Sequence, residues 1–330
     1  MRMSRLVPRV VWLAGAIAFG VLVALGLRSD DDGIIPQGAP SMPPAAAEPS
    51  PASPDTIRHD GAALGCSNPQ PTWIWCDDFE QDRTSRYYEY VSYKGSLARQ
   101  RGAGRNGSTS MRARWTAGDD DAGSLKVIFG RNPITTKRLA DDGQTDYREL
   151  YWRVFVRSQP GWRTNGNDKF TRAIVFAGPK WEEAAIGHVW GGGAGDAQNH
   201  YVIDPASGVD AQGALATTKY NDFDHLRWLG ATQGKAPVLG AGAGQWYCVE
   251  AHMRLNDPGQ SNGSFDLWID DVVDAQRAGL DWIGGYSSYG INALFLESYI
   301  NKGAPQAQVR DYDDLVVSTT RIGCGMTHNG

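Results

Sequence analysis

The sequence predicts an all-β fold, a jelly-roll β-sandwich of two antiparallel sheets, and three observations support this prediction. Short runs of alternating polar and apolar side chains recur along most of the chain, and this period of two is typical of half-buried strands. The 40 glycines tend to fall between these runs, where the chain has to turn. No amphipathic helical pattern longer than about ten residues interrupts the runs. Many short strands joined by turns are typical of a sandwich.

The N-terminal segment, residues 1–27, combines three arginines with an apolar run from Val10 to Leu27. A charge-free run of this length is at the lower limit for a membrane span and slightly long for the core of a signal peptide. Arginines on its N-terminal side favour export of the rest of the chain. We expect either a cleaved signal peptide or a retained membrane anchor, and any membrane contact would be through this segment alone.

Residues 28–61 are rich in proline, alanine, serine and aspartate and contain almost nothing that could build a core. They are predicted to form a disordered, semi-extended linker. Residues 62–330 then form the folded domain, which we expect to be monomeric and secreted, or held at the periplasmic or extracellular face. The formal net charge of −5 gives no reason to expect nucleic acid as a partner.

All four cysteines lie in the folded domain. An even number behind an export signal indicates two disulfides, and four cysteines allow three pairings. The sequence alone does not choose among these pairings. We favour Cys66–Cys76 as a local loop and Cys248–Cys324 as a clasp on the C-terminal end.

The alternating runs predict strands at 73–79, 110–115, 124–129, 149–157, 169–177, 187–190, 200–204, 246–255, 263–269, 293–300 and 311–318. Two long loops are expected at 132–147 and 204–244. Loops of this length are uncommon in a compact domain unless they have a function such as covering a binding groove.

One predicted strand, at 246–255, carries Glu250, His252 and Arg254 at alternate positions, so their side chains share a face. Such a row is either a solvated outer surface or the floor of a site. A second strand places Lys169 and Thr171 on one face and Arg172 on the other.

The chain is rich in aromatic residues, with 12 tryptophans and 13 tyrosines. Most are expected to pack in the core. Others can act as platforms for sugar rings, because a sugar has an apolar C–H face and polar edges. Exposure is favoured for four aromatics in glycine-rich or polar contexts: Trp181, Trp190, Trp228 and Tyr220.

Several segments resemble concanavalin A-like jelly rolls, namely those at 77–80, 107–112 and 150–155. The block at 245–270 and the closing strands at 295–319 are similar to those of polysaccharide lyases of the alginate and glucuronan lyase type. The resemblance covers roughly residues 73–322. The glycine-rich lysine segment of those lyases is replaced at 167–174, where Lys169 is retained without the glycines.

The resemblance implies β-elimination in a uronic-acid polymer. This reaction needs a group that neutralises the sugar carboxylate, a base for the adjacent proton and an acid for the leaving oxygen. The implied catalytic set is Lys169, His252, Arg254 and Tyr299. The expected substrate-binding residues are Arg172, His188, Trp190, Tyr220, Glu250 and Glu297.

The resemblance also implies a structural Ca²⁺ between the first and last strands, with Glu80 and Asp314 as ligands. No cofactor is otherwise required. A glycoside hydrolase is disfavoured because the paired carboxylates that hydrolysis needs are not found on one strand. We therefore expect an exported domain that binds a uronic-acid polysaccharide and cleaves it by β-elimination. The alternative is a non-catalytic carbohydrate-binding or adhesion domain, similar to laminin G domains, at the cell surface.

Overall fold

Two antiparallel sheets of eight strands each form the fold, which agrees with the predicted jelly-roll sandwich. The computed structural model describes residues 65–166, 168–192 and 199–325. The segments predicted as signal peptide or anchor (1–27) and linker (28–61) lie outside the described residues. No helix within the described part of the chain is long and apolar enough to span a membrane.

The first sheet, called sheet I, consists of β1 (Trp73–Asp77), β3 (Leu97–Gln100), β4 (Ser110–Trp115), β6 (Glu149–Ser158), β12 (Tyr247–Arg254), β13 (Gly263–Ile269), β14 (Val272–Leu280) and β16 (Gln308–Ser318). The second, called sheet II, consists of β2 (Glu89–Val91), β5 (Asp121–Ile128), β7 (Asp168–Phe176), β8 (Glu183–Gly191), β9 (Tyr201–Ser207), β10 (Arg227–Trp228), β11 (Thr232–Gln233) and β15 (Ala293–Ile300).

The strand order in sheet I is β14-β13-β12-β6-β16-β4-β3, and β1 also pairs with β16. In sheet II the order is β10-β9-β8-β7-β15-β5-β2, and β11 also pairs with β9. In each sheet, hairpins of consecutive strands alternate with pairs that are far apart in sequence, such as β6 with β16 and β5 with β15, as in a jelly roll. β15, the last strand but one in sequence, lies inside sheet II between β7 and β5.

All the strands that sequence periodicity missed lie at sheet ends or pair with a single neighbour: β2, β3, β10, β11 and β14. Edge strands face solvent more, and their alternation is correspondingly weak. In β14, Val272 is 61% exposed although it is apolar. Central strands bury one face completely, and three of them match the predicted bounds residue for residue: Ser110–Trp115, Gly263–Ile269 and Ala293–Ile300.

The main core lies between the sheets and contains many of the aromatic residues. Phe170 of sheet II stacks on Tyr201 with ring centroids 4.7 Å apart and lies 6.3 Å from Tyr312 of sheet I. The indole Nε1 of Trp152 donates a hydrogen bond of 3.0 Å to Thr171 Oγ1 across the interior. A buried indole N–H needs such an acceptor.

The structure confirms the favoured disulfide pairing, Cys66–Cys76 and Cys248–Cys324. The second bond attaches the C-terminal segment to β12. Glu250, two residues further along this strand, is fully buried and accepts hydrogen bonds from the backbone N–H groups of Ile322 and Gly323 at 2.6 and 3.0 Å. Glu250 therefore holds the C-terminal segment against sheet I.

Candidate active site

A β-bulge in β7 places two cations on the outer face of sheet II. Lys169 pairs with Trp190 and Thr171 with Val189, so one extra residue lies between them on β7. Phe170 and Thr171 consequently both face the core, and Lys169 shares the outer face with Arg172. The prediction that Lys169 and Thr171 share a face is wrong, because a bulge shifts the alternation by one residue.

Trp190, Lys169 and Tyr299 form a row across β8, β7 and β15. The Lys169 Nζ atom lies 4.6 Å from the centroid of the Tyr299 ring. Burial lowers the pKa of Lys169, although the nearby charge of Glu297 partly offsets this effect. Burial and the charge of Asp120 raise the pKa of Tyr299. An amine shifted towards its neutral form therefore lies beside a phenol that keeps its proton.

Arg172 is fully buried beneath this row. Its Nε and Nη2 atoms donate hydrogen bonds of 2.6 and 2.7 Å to the Glu297 carboxylate, and Nη2 also donates to the Tyr220 hydroxyl. Its Nη1 atom donates to Asn221 Oδ1 at 2.8 Å. Arg172 was expected to bind a substrate carboxylate, but its guanidinium is buried against protein acceptors. Arg172 therefore holds Glu297, Tyr220 and Asn221 in position.

Glu297 was also expected to bind substrate, and the structure instead pairs it with Arg172. Burial acts to raise the pKa of Glu297, but the positive charges of Arg172 and Lys169 outweigh burial and hold the pKa below its ordinary value. Glu297 is therefore a carboxylate that stabilises the cations of the site.

Asn221 is a site residue that the sequence analysis missed. Its backbone has a φ of 54°, and its N–H donates to Glu183 Oε2 at 3.0 Å. A guanidinium has only donors, so the Asn221 side-chain oxygen must face Arg172. The Nδ2 amide is then left with no hydrogen-bond acceptor among the described residues, next to the groove that Asn221 lines. Its position in the long loop predicted at 204–244 was the available signal.

An aromatic surface lies at one end of the row. Trp228 is 43% exposed and Phe223 is 38% exposed, and their ring centroids are 6.2 Å apart. His188 stacks on Trp190 at 4.5 Å and on Trp228 at 5.4 Å. Of the four aromatics for which exposure was expected, Trp228 is the clearest case, whereas Trp190 is 8% exposed. Trp228 and Phe223 give this end of the sheet an accessible apolar face.

His188 is a buried, neutral imidazole. Its Nδ1 atom donates to the backbone carbonyl of Asp204 at 3.0 Å, since a carbonyl can only accept. Burial, together with the charges of Arg172 and Lys169, lowers the pKa of His188 well below its ordinary value. The expected role of His188 in binding substrate is therefore replaced by a packing role, in which its ring stacks against the Trp190 and Trp228 rings.

Three adjoining pockets form a groove over these residues, and Tyr299 lines all three. The aromatic pocket, about 560 Å³, contains Trp190 and Trp228. The central pocket, about 230 Å³, contains Lys169, Tyr220 and Asn221. The acidic pocket, about 840 Å³, is lined by Asp119, Asp120 and Asp121, among others. The three pockets together have room for several linked sugar rings, and Lys169 lies in both the central and the aromatic pocket.

The structure places the row of Glu250, His252 and Arg254 on the opposite side of the sandwich. These side chains lie on the outer face of sheet I, because Val249, Ala251 and Met253 on the same strand face the core. The prediction that His252 and Arg254 share one groove with Lys169 and Tyr299 is therefore wrong. Alternation shows which side chains share a face, but not which sheet a strand joins.

Each side chain in that row has protein partners. The His252 ring lies between the carboxylates of Asp266 and Glu149, at 2.8 Å from each, and stacks on Tyr151 at 4.2 Å. Arg254 Nη1 donates to the backbone carbonyl of Asn262 at 2.7 Å. These contacts join β12 to its neighbours in sheet I.

The residues expected to bind calcium do not fit such a site. Glu80 Oε1 accepts a hydrogen bond of 2.6 Å from the Thr109 backbone N–H, and Asp314 Oδ2 accepts one of 2.7 Å from Arg105 Nη1. A guanidinium therefore lies where a cation would meet Asp314. Within the described ranges, no group of three or more His, Cys, Asp or Glu side chains is arranged to hold a metal ion.

Neither a family model nor a curated protein sequence matches this chain. Solved structures do match it. An endo-β-1,4-glucuronan lyase from the fungus Trichoderma reesei is 12% identical with a TM-score of 0.52, over 76% of this chain and 96% of that one. The marine PL-14 alginate lyase from Aplysia kurodai is 8% identical with a TM-score of 0.50, over 76% and 100% of the two chains. The chain therefore has a jelly-roll fold similar to that of these polysaccharide lyases.

Proposed function

We propose that the groove on sheet II binds a polysaccharide that contains uronic acid and cleaves it by β-elimination. The observation that carries this proposal is the contact between Lys169 and Tyr299 on the groove floor. Lys169 has a lowered pKa and Tyr299 a raised one, so the pair offers a proton acceptor and a proton donor side by side.

The reaction begins with neutralisation of the sugar carboxylate. The free Nδ2 amide of Asn221 donates a hydrogen bond to it, which makes the proton on the adjacent ring carbon, C5, more acidic. Lys169 Nζ takes this proton. The electron pair of the C–H bond forms a C4–C5 double bond, and the bond between C4 and the glycosidic oxygen breaks. Tyr299 gives its hydroxyl proton to that oxygen, and solvent restores both side chains.

The buried network beneath the floor keeps these groups in position. Arg172 holds Asn221 through its side-chain oxygen, and Glu183 holds the Asn221 backbone N–H. Because the donor is fixed before substrate binds, the amide loses little freedom when the carboxylate arrives.

A carbohydrate-binding domain without catalysis is the second candidate, and the exposed Trp228 and Phe223 rings favour it. Flat aromatic faces bind sugar rings whether or not a bond is later broken. The two candidates differ in their product, since elimination leaves a double bond that absorbs in the ultraviolet.

The test is to incubate the full-length protein with alginate, glucuronan and glycosaminoglycans and to follow ultraviolet absorbance. Lys169→Ala and Tyr299→Phe should each lower kcat by roughly 100-fold or more, because each removes a proton-transfer group. Lys235→Ala removes an exposed lysine outside the groove and is the matched control. No absorbance gain on any polymer, together with retention on a polysaccharide column, would leave the binding domain as the function.

Arg254→Ala distinguishes the two faces of the sandwich. Arg254 lies on sheet I, and its guanidinium donates to Asn262. Activity should persist in this variant. A loss as large as that of Lys169→Ala, with the fold intact by circular dichroism, would move the active site to sheet I.

The pH dependence gives a further test of Lys169. The neutral amine is the base, so kcat should rise with pH as Lys169 loses its proton. Burial lowers the pKa of Lys169, so this rise should occur below the pH at which an ordinary lysine titrates. A kcat that falls across the same range would contradict this role.

A further inference from the structure

Negative charges predominate along the groove on sheet II. Of the described residues that line the three pockets, six are carboxylates: Glu89, Asp119, Asp120, Asp121, Asp204 and Glu297. Four are basic side chains, of which Lys169 acts as a neutral base in the proposed reaction: Lys94, Arg114, Lys126 and Lys169. A groove built for a polymer with a charge on every sugar should instead be lined mainly by cations.

Some of these charges are already paired within the protein. Lys126 forms an ion pair with Glu89, and Glu297 pairs with the buried Arg172. Arg114 Nη2 donates to the neutral Gln100 Oε1 at 2.6 Å and keeps its charge. Lys94 is exposed in the acidic pocket, away from the central one. Within the described lining of the central pocket, an incoming carboxylate therefore meets the Asn221 amide beside the Lys169 amine.

The described lining of the acidic pocket has three carboxylates, Asp119, Asp120 and Asp121, against two cations, Lys94 and Arg114, so its net negative charge opposes a second sugar carboxylate. Asp119 and Asp120 are exposed there, and Asp120 accepts the Tyr299 hydroxyl at 3.3 Å. Two like charges about 4 Å apart repel by roughly 1 kcal/mol in water and more at a protein surface. A uronic acid bound immediately beyond Tyr299 would meet this repulsion, whereas a neutral sugar can donate its hydroxyl groups to the same carboxylates.

The aromatic pocket also suits a neutral sugar. Its described lining includes Trp228, Phe223 and Trp190. The basic and acidic side chains in that lining are Lys169 and Asp204. Asp204 accepts the Trp190 indole N–H at 3.2 Å. An aromatic face binds the C–H face of a sugar through apolar contact, which does not require a carboxylate.

We infer that the substrate carries isolated uronic acids separated by neutral sugars, rather than uronic acid at every position. The inference rests on the proposed function and narrows it. One uronic acid occupies the centre at Lys169 and Asn221, a neutral sugar stacks on Trp228 and Phe223, and a neutral sugar lies against Asp119 and Asp120.

The experiment uses glucuronan in which a graded fraction of the carboxyl groups has been reduced to neutral glucose. This series keeps one backbone and changes the charge density. For the full-length protein, kcat/KM per remaining uronic acid should rise about 3-fold between unmodified and half-reduced polymer, because about half of the sugars beyond Tyr299 are then neutral and each of these escapes a repulsion worth roughly 5-fold. A kcat/KM per uronic acid that is highest on unmodified glucuronan would overturn the inference and leave the proposed elimination intact.

Binding to the same series separates the two proposals. If no polymer is cleaved, the proposed elimination fails. Retention of the protein on immobilised polymers then still tests the inference, because retention should be strongest at intermediate reduction. Strongest retention on unmodified glucuronan would overturn the inference by this second measurement.

Asp119→Asn tests the acidic pocket directly. Asn keeps the oxygen that accepts the Thr116 backbone N–H at 3.1 Å, so the turn should be preserved. The variant should reduce the preference for half-reduced over unmodified glucuronan from about 3-fold towards 1, with a smaller change at high salt. Asp142→Asn, an exposed carboxylate outside the groove, is the matched control. An unchanged preference in Asp119→Asn would contradict a role for this pocket in selecting the substrate.

Discussion

Arg172 on β7 donates two hydrogen bonds, of 2.6 and 2.7 Å, to the carboxylate of Glu297 on β15. Both side chains are buried, at 0% and 7% exposure. The same two strands carry Lys169 and Tyr299, which are cross-strand neighbours on the groove floor. The buried pair therefore links the two strands whose side chains form the proposed acid–base pair.

Breaking this pair should destabilise the protein strongly. Arg172→Met leaves the Glu297 carboxylate buried without its cation and removes the donor to Asn221, at a cost of about 3–5 kcal/mol in the free energy of unfolding. The double variant Arg172→Met/Glu297→Leu should cost less, because no isolated charge remains. Urea unfolding measures both. A double variant less stable than the single one would contradict this account.

Glu183 should make the protein less stable as pH rises towards neutral. Burial raises the pKa of Glu183 from 4.5 to about 7. The folded state thus keeps this proton after the unfolded state has lost it, and the associated stability is lost as pH rises from about 4.5 to about 7. The effect amounts to about 3 kcal/mol in unfolding free energy.

Glu183→Gln removes this titration. The loss of unfolding free energy as pH rises should therefore be about 3 kcal/mol smaller in the variant. Gln keeps an oxygen that can accept the Asn221 N–H. Comparison of the two proteins by urea unfolding from pH 4 to pH 8 isolates Glu183 from other buried acids, such as Asp313. Parallel curves for the two proteins would show that Glu183 does not titrate in this range.

Trp228→Ala should weaken substrate binding without altering the chemical step. Trp228 is 43% exposed in the aromatic pocket, and its indole takes no part in the proposed proton transfers. Loss of its stacking should raise KM roughly 3- to 10-fold with kcat little changed. Val272→Ala, which shortens an exposed apolar side chain on sheet I, should change neither constant. A lower kcat with unchanged KM would contradict the role of Trp228 as a binding platform.

The two disulfides should contribute unequally to stability. Cys248–Cys324 links residues 76 apart in sequence, and Cys66–Cys76 links residues 10 apart. In the chain-entropy model, the longer loop stabilises by about 4.5 kcal/mol and the shorter by about 2.7 kcal/mol. Guanidinium unfolding of the two double-serine variants measures these values. Equal losses would indicate that local contacts, such as those of Glu250 with the C-terminal segment, outweigh loop entropy.

Much of the fold could be predicted from local patterns. Strands with one fully buried face show a clear period of two, as in Gly263–Ile269 and Ala293–Ile300. Edge strands such as β14 escaped prediction, because a bulge between Val273 and Ala275 and partial exposure interrupt the alternation. The favoured cysteine pairing was confirmed, although the sequence alone allowed three pairings.

The candidate site could be predicted only in part. Lys169, Arg172, Glu297 and Tyr299 do come together on sheet II, and Tyr220 reaches them from the loop between β9 and β10. Other site residues were missed because a loop brings them to the groove, and loop positions carry no periodic signal. These are Asn221 and Phe223.

The sequence by itself determined which side chains alternate along the regular central strands, and with this the class of the fold. Only the tertiary structure decided that β12 joins sheet I and β7 joins sheet II, so that His252 and Lys169 lie on opposite sides of the sandwich. The physical reason is that alternation arises from local backbone geometry, whereas sheet membership depends on pairing between strands far apart in sequence. The bulge beside Lys169 depends in the same way on its neighbour β8.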